Sequence, residues 1–196
     1  TKVWLNSQSY LRYPVFFSFY NREVELIGEA FFEVAPDTKR PFFVRLKNHV
    51  SVEVLGTSFN VRSYSDEESI ETVLEQGKVR MGDAEKHIVL KPGMRAVYKC
   101  AVKDLTADKV NTALYTSWRL GHFVFQEERL ESILNRLSKW YNMQVFFSSE
   151  AAKDLIFSGN IRRYETIVKL LDALEISGGV HFDIQEETVI VTMKKK

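Results

Sequence analysis

The chain has 196 residues, 45% apolar and 27% charged, and its 27 Lys and Arg against 26 Asp and Glu leave a formal charge of +1. That length allows one large domain or two small ones, each with its own core, and the composition excludes a disordered segment. The charge balance excludes the basic excess by which nucleic-acid binders meet phosphate, and the single cysteine, Cys100, excludes an internal disulfide framework or a thiolate metal cluster.

Thr1-Lys2-Val3-Trp4-Leu5-Asn6 reads as a strand and turn from the middle of a domain. A targeting segment is therefore expected upstream of a soluble fragment. The longest uncharged aromatic run, residues 13–20, falls short of the roughly 20 residues that span a bilayer. From residue 1 to 105, β-rich runs recur roughly every 8 to 12 residues, at 24–26, 30–34, 42–46, 50–55, 59–64, 71–74, 79–81 and 96–98. Pro36-Asp37, Lys47-Asn48, Gln76-Gly77, Gly82-Asp83 and Pro92-Gly93 punctuate them. This predicts an all-β unit, and the spacing leaves sandwich, roll and solenoid-like stack open.

Residues 104–116 are polar and lack alternation, which predicts a linker or joining helix. The expected division is therefore a β domain over 1–105, a linker over 106–116 and a second domain over 117–196. In the second domain 118–125 reads as a strand, with Gly121 weakening it. Residues 127–141 place Leu130, Ile133, Leu134, Leu137 and Tyr141 on one helical face, with Glu127 and Glu128 at the positive N-terminal end. A strand at 143–147, a strand at 155–161 and a helix at 164–176 (Tyr164, Ile167, Val168, Leu171 and Leu174 on one face) follow. Ser177-Gly178-Gly179 stops that helix, and 180–184 with 188–193 form a closing hairpin. The reading is two tandem β-α-β units, with two helices over one face of a short sheet. The fold class expected for the whole chain is α+β.

No arrangement of residues points to catalysis. Glu29 and Glu33 share a strand face but stand about 13 Å apart, beyond the separation glycosidase carboxylates need, so a solvated face is expected. His49, His87, His122 and His181 lack metal-ligand spacing. Cys100 reads as a half-buried structural thiol, and Gly56-Thr57-Ser58 as a tight bend without the features of a phosphate loop. Trp118, Trp140 and Tyr141 are expected in core packing. No catalytic, cofactor or metal residue is assigned. Two features could serve binding. Phe16, Phe17 and Phe19 lie in a run bulky on both sides, for which burial or packing against the second domain is expected ahead of an exposed partner patch. The strands carrying Phe157, Gly159 and Ile161, and Val189, Ile190 and Val191, are candidate sheet edges able to recruit a strand from another protein.

Several phrases in one order carry a resemblance. Val3-Trp4-Leu5-Asn6, Leu11-Arg12-Tyr13-Pro14, Arg22-Glu23-Val24-Glu25-Leu26, Gly28-Glu29-Ala30-Phe31-Phe32-Glu33-Val34 and Arg40-Pro41-Phe42 come first. Val54-Leu55-Gly56-Thr57-Ser58-Phe59-Asn60-Val61, Leu74-Glu75-Gln76-Gly77-Lys78-Val79 and Leu90-Lys91-Pro92-Gly93 follow. Together they resemble the FecR family of transmembrane anti-sigma regulators in Gram-negative bacteria. Trp118, Gly121, Phe125, Leu130-Glu131-Ser132-Ile133-Leu134, Trp140-Tyr141-Asn142 and Phe157-Ser158-Gly159 resemble the domain that follows in Bacteroidetes-type members. That domain is itself similar to the secretin and TonB short N-terminal domain. The resemblance implies a non-enzymatic relay without cofactors, in the periplasmic region of a single-pass inner-membrane protein. An outer-membrane TonB-dependent transporter would touch the fragment through its signalling domain; the candidate open edges place that contact at Phe157, Gly159, Ile161 or Val189–Val191. Site proteases would then act on the parent, which meets an extracytoplasmic-function sigma factor through a cytoplasmic segment outside this sequence. The run 14–20 departs from the family's more polar pattern. The alternative expectation is a periplasmic β-domain that senses a small ligand or carbohydrate directly.

Overall fold

The computed structural model describes every residue except 163–165 and 195–196. The expected helix start at Tyr164 lies outside the described residues. Among the described residues strands hold 48% and helices 20%, a mixed fold in which β dominates. Two compact units divide it, Thr1–Arg119 and Leu120–Lys196. Among the described residues no helix is long and apolar enough to cross a membrane.

The first unit is one nearly closed sheet of eleven strands. These are β1 (Lys2–Leu5), β2 (Tyr10–Arg12), β3 (Arg22–Glu33), β4 (Phe42–Arg45), β5 (Ser51–Val54) and β6 (Ser58–Ser63), then β7 (Ser69–Gln76), β8 (Val79–Gly82), β9 (His87–Leu90), β10 (Met94–Lys99) and β11 (Asp104–Lys109). The order is β11-β10-β7-β6-β3-β4-β5-β8-β9, with β1 and β2 also on β3. The two runs expected at 24–26 and 30–34 are halves of one strand. Its first half pairs with β2 and, in parallel, with β4; its second half pairs with β1 and β6. The change of partners falls at Gly28, whose φ of +100° is cheap only for glycine. Alternation then divides the two faces: Ala30, Phe32, Phe59, Val61, Ile70, Leu74, Ala96 and Tyr98 join one inner core.

The expected linker is structured. Asp104–Lys109 pairs along its length with β10, and α1 (Ala113–Thr116) and a 3-10 turn over Ser117–Leu120 complete the segment. β11 is an edge strand with only Leu105 half-buried, so its alternation does not show in the sequence, and its charges blunt the edge. The strand expected from Trp118 begins at His122, because Gly121 turns the chain at φ +80°.

The second unit holds β12 (His122–Arg129), α2 (Leu130–Tyr141), β13 (Gln144–Phe147), α3 (Glu150–Lys153), β14 (Ile156–Arg162), α4 (Ile167–Ser177), β15 (Val180–Gln185) and β16 (Thr188–Met193). Its helices α2 and α4 bury Leu130, Ile133, Leu134 and Leu137, and Leu170, Leu171 and Leu174, in one core. Glu127 and Glu128 lie within β12 at its bulge and do not open α2. The single short sheet expected is instead two, β12-β14 and β13-β16-β15, and each β-α-β passage crosses from one to the other. This places β16 in the middle: β13 pairs beside it in parallel and β15 antiparallel. The expected edge at Val189, Ile190 and Val191 is therefore an interior strand, with Val189 and Val191 buried.

Candidate functional site

The outer face of the first unit's sheet carries a buried polar cluster. Asn60 and Arg62 on β6 stand opposite Phe31 and Glu29 on β3, so cross-strand pairing brings them together. Glu29 is only 6% exposed, where the sequence suggested a solvated face. Its carboxylate accepts Asn6 Nδ2 at 2.7 Å and Asn60 Nδ2 at 2.9 Å, with Arg62 Nη1 at 3.5 Å. Asn60 Oδ1 in turn accepts the indole N–H of Trp118 at 3.1 Å. Arg119 lies 3.7 Å over the Phe31 ring and reaches both Glu75 oxygens. Both Glu29 oxygens face donors and no nucleophile shares the cluster; the neighbouring carboxylates of Glu67 and Glu75 are held by Arg62 and Arg119, so its chemistry is fixation of residues 118–119 on the sheet. Beside it, burial disfavours the Arg62 charge, but Glu29 and Glu67 more than offset this and hold its proton. Burial also pushes the Tyr64 hydroxyl up to about 12.

A second polar knot closes the turn after β8. Asp83 accepts the backbone N–H groups of Lys86 and Glu85 at 2.8 and 2.9 Å and the Tyr98 hydroxyl at 2.8 Å. These bonds, the Lys86 amide foremost, lower its carboxyl to about 2.

The aromatic run is exposed, against the expectation of burial. Phe16 is 87% and Phe19 93% exposed; Phe17 alone turns back, 6.4 Å edge-on from Phe42. The segment forms a loop between β2 and β3 instead of a strand, because Pro14 and the Ser18 hydroxyl, which accepts the amides of Tyr20 and Asn21, favour a turn.

In the second unit β14 pairs with β12 on one side, and among the described residues no strand pairs with its other side. Of the residues expected there, Phe157 is buried in the core and Ile161 packs half-buried against it. A Cβ on Gly159 would meet Phe125 Cζ at 2.6 Å, so this glycine lets a ring lie on the strand and serves packing. The outward positions are Ile156, Ser158, Asn160 and Arg162. Ser158 Oγ accepts the Glu127 amide at the bulge, and Asn160 Oδ1 meets His122 Nδ1 at 3.1 Å. Asn160, Ile161 and Arg162, with Lys169, Leu170 and Ala173 of α4, line a shallow groove of about 360 Å³. Sequence reasoning named this strand but missed the α4 side of the groove; the outward Lys169 and Ala173 on the polar face of that helix were the available signal. Trp140 packs edge-on to Phe123 at 5.1 Å, as expected of a core aromatic. Cys100 is half-buried against the first core.

The sequence profile described as FecR protein matches residues 1–80, and that described as FecR, C-terminal, matches residues 122–191. The structure is similar to a candidate anti-sigma factor from Parabacteroides distasonis ATCC 8503 solved at 1.65 Å. That likeness has 27% identity and a TM-score of 0.87, and covers 98% of this chain and 90% of the other. A second crystal structure of a candidate anti-sigma factor from the same organism, at 2.50 Å, matches with 27% identity and a TM-score of 0.86 over 99% and 90% of the two chains. No curated protein matches the sequence.

Proposed function

Because the chain belongs to the FecR family, whose members act in anti-sigma signalling, we propose that it is the periplasmic relay region of a membrane-anchored regulator. In this reading it binds the signalling domain of an outer-membrane TonB-dependent transporter. Contact with the extracytoplasmic-function sigma factor belongs to a cytoplasmic segment outside this sequence, and proteolysis of the parent completes the relay. The observation that carries the reading is the likeness of nearly the whole chain, at a TM-score of 0.87, to a candidate anti-sigma factor. The family is a regulatory one, and the buried acidic cluster at Glu29 is saturated with structural donors, which fits a binding role.

The docking surface we assign is the unpaired side of β14 with the groove toward α4. A strand of the partner added there would satisfy backbone groups that β12 leaves free, and Arg162 and Lys169 would meet acidic side chains at the rim. The β16 positions play no part, because both sides of that strand are already paired. Thermal unfolding tests the reading. A partner that binds only the folded state at about 100 times its Kd stabilises it by about 2.7 kcal/mol. The periplasmic signalling domain of an outer-membrane TonB-dependent transporter should raise the Tm of the second unit. A rise with glycans or iron chelates, and none with that domain, would move the assignment to direct ligand sensing.

A further inference from the structure

The aromatic loop between β2 and β3 is not used by the relay surface on β14. Val15, Phe16, Phe19 and Tyr20 are 84–93% exposed, so each projects almost free of the scaffold. The nine residues from Tyr13 to Asn21 carry no charge in a chain where 27% of residues do. At the base of the loop Arg12 pairs with Glu25, Arg45 with Glu23 and Arg40 with Asp37, while Arg22 is buried and donates to the Arg40 and Ala35 carbonyls. Two tip amides, of Tyr20 and Asn21, already bond to Ser18 Oγ at 3.2 and 3.0 Å, so they can leave bulk water at reduced cost. Tyr13 and Tyr20 flank the phenylalanines, apolar rings with a polar tip on either shoulder.

We propose that this loop is a membrane-surface contact, which seats Val15, Phe16 and Phe19 in the interfacial layer of a lipid bilayer. A folded partner would need a separate pocket for each projecting ring, whereas a fluid lipid layer closes around all of them. The uncharged loop and the ion pairs at its base match zwitterionic headgroups better than an acidic surface. The inference rests on the membrane-anchored reading above, which sets the chain beside the bilayer that the loop enters. The loop then holds the first unit against the bilayer that carries the parent protein.

Vesicle flotation of the whole chain tests this without any protein partner, so its failure is distinct from failure of the relay. The chain should float with phosphatidylcholine–phosphatidylethanolamine vesicles, within about twofold whether or not phosphatidylglycerol is added, and equally in high salt. Phe16→Ser/Phe19→Ser should lower partitioning about tenfold or more at unchanged Tm, since both side chains are exposed. Phe19→Trp should retain binding and shift its emission to the blue on adding vesicles. Absence of flotation, binding that requires anionic lipid and disappears in salt, or a double variant that floats like the parent would each overturn the proposal.

Discussion

Replacing Glu29 by glutamine tests whether the buried cluster is a structural clasp. The carboxylate offers two acceptor oxygens to two amide donors, Asn6 Nδ2 and Asn60 Nδ2. Neither amide can flip to welcome a glutamine N–H. Asn60 Oδ1 is held by the Trp118 indole and Asn6 Oδ1 by the Ser7 amide. The substituted side chain would therefore keep one acceptor and turn a donor against a donor at the other position. Two charge-assisted bonds of about 1.5–3 kcal/mol become one neutral bond of about 0.5–1.5, a loss that already contains the cost of the orphaned donor. The net expected loss for Glu29→Gln is about 2–4 kcal/mol. Urea unfolding measures it in a Trp140→Phe background, where the remaining Trp4 and Trp118 both report the first unit. With a slope of about 2 kcal/mol/M, the midpoint should fall by about 1–2 M at constant slope. A fall of less than about 0.3 M would show that water already shares the carboxylate, and the argument from pinned amides would fail.

Gly28→Ala should cost the first unit about 2 kcal/mol or more in the same assay, because φ is +100° and the new Cβ would lie 2.7 Å from Ser9 Cα. Asp83 is depressed to about 2, below its ordinary value of 3.8, so its contribution is full above about pH 4 and is lost as pH falls through 2. Asp83→Asn should thus be less stable than the parent at pH 7, and the difference should shrink between about pH 4 and 2; a pH-independent difference would contradict this assignment. Val191→Pro should unfold the second unit while the first keeps its Tm, since β16 is paired on both sides and proline there removes a ladder donor. Retention of a folded second unit, seen by Trp140 fluorescence, would place β16 at an edge after all.

Local periods were legible and partner choices were not. The stripe of α2 was readable because Leu130, Ile133, Leu134 and Leu137 repeat within the helix itself, and all four are buried. The inner positions of β3, β6 and β7 were readable by alternation for the same reason. β11 escaped because an edge strand with one half-buried residue has no apolar alternation to detect. The Glu29 cluster escaped because its partners lie 23 and 31 residues away, and only the register of β3 on β6 brings them together. In β16 the β-branched sequence is equally compatible with an edge and an interior; the parallel arrival of β13 decided it. The run at 16–20 was expected to be buried because both of its sides are bulky, yet apolar bulk is not always inside. On β14, Phe157, Gly159 and Ile161 were expected to be partner contacts at an open edge. Those residues hold the core, and the outward set between them is what a partner could touch.

Calorimetric titration of the whole chain with the periplasmic signalling domain of an outer-membrane TonB-dependent transporter tests the relay most directly. The account predicts saturable one-to-one binding to the parent chain. It also predicts affinity at least about tenfold weaker in Arg162→Glu/Ala173→Glu, which changes the groove beside β14 while leaving the core untouched. Absence of binding, or binding equally tight in the variant, would contradict a relay through the second unit.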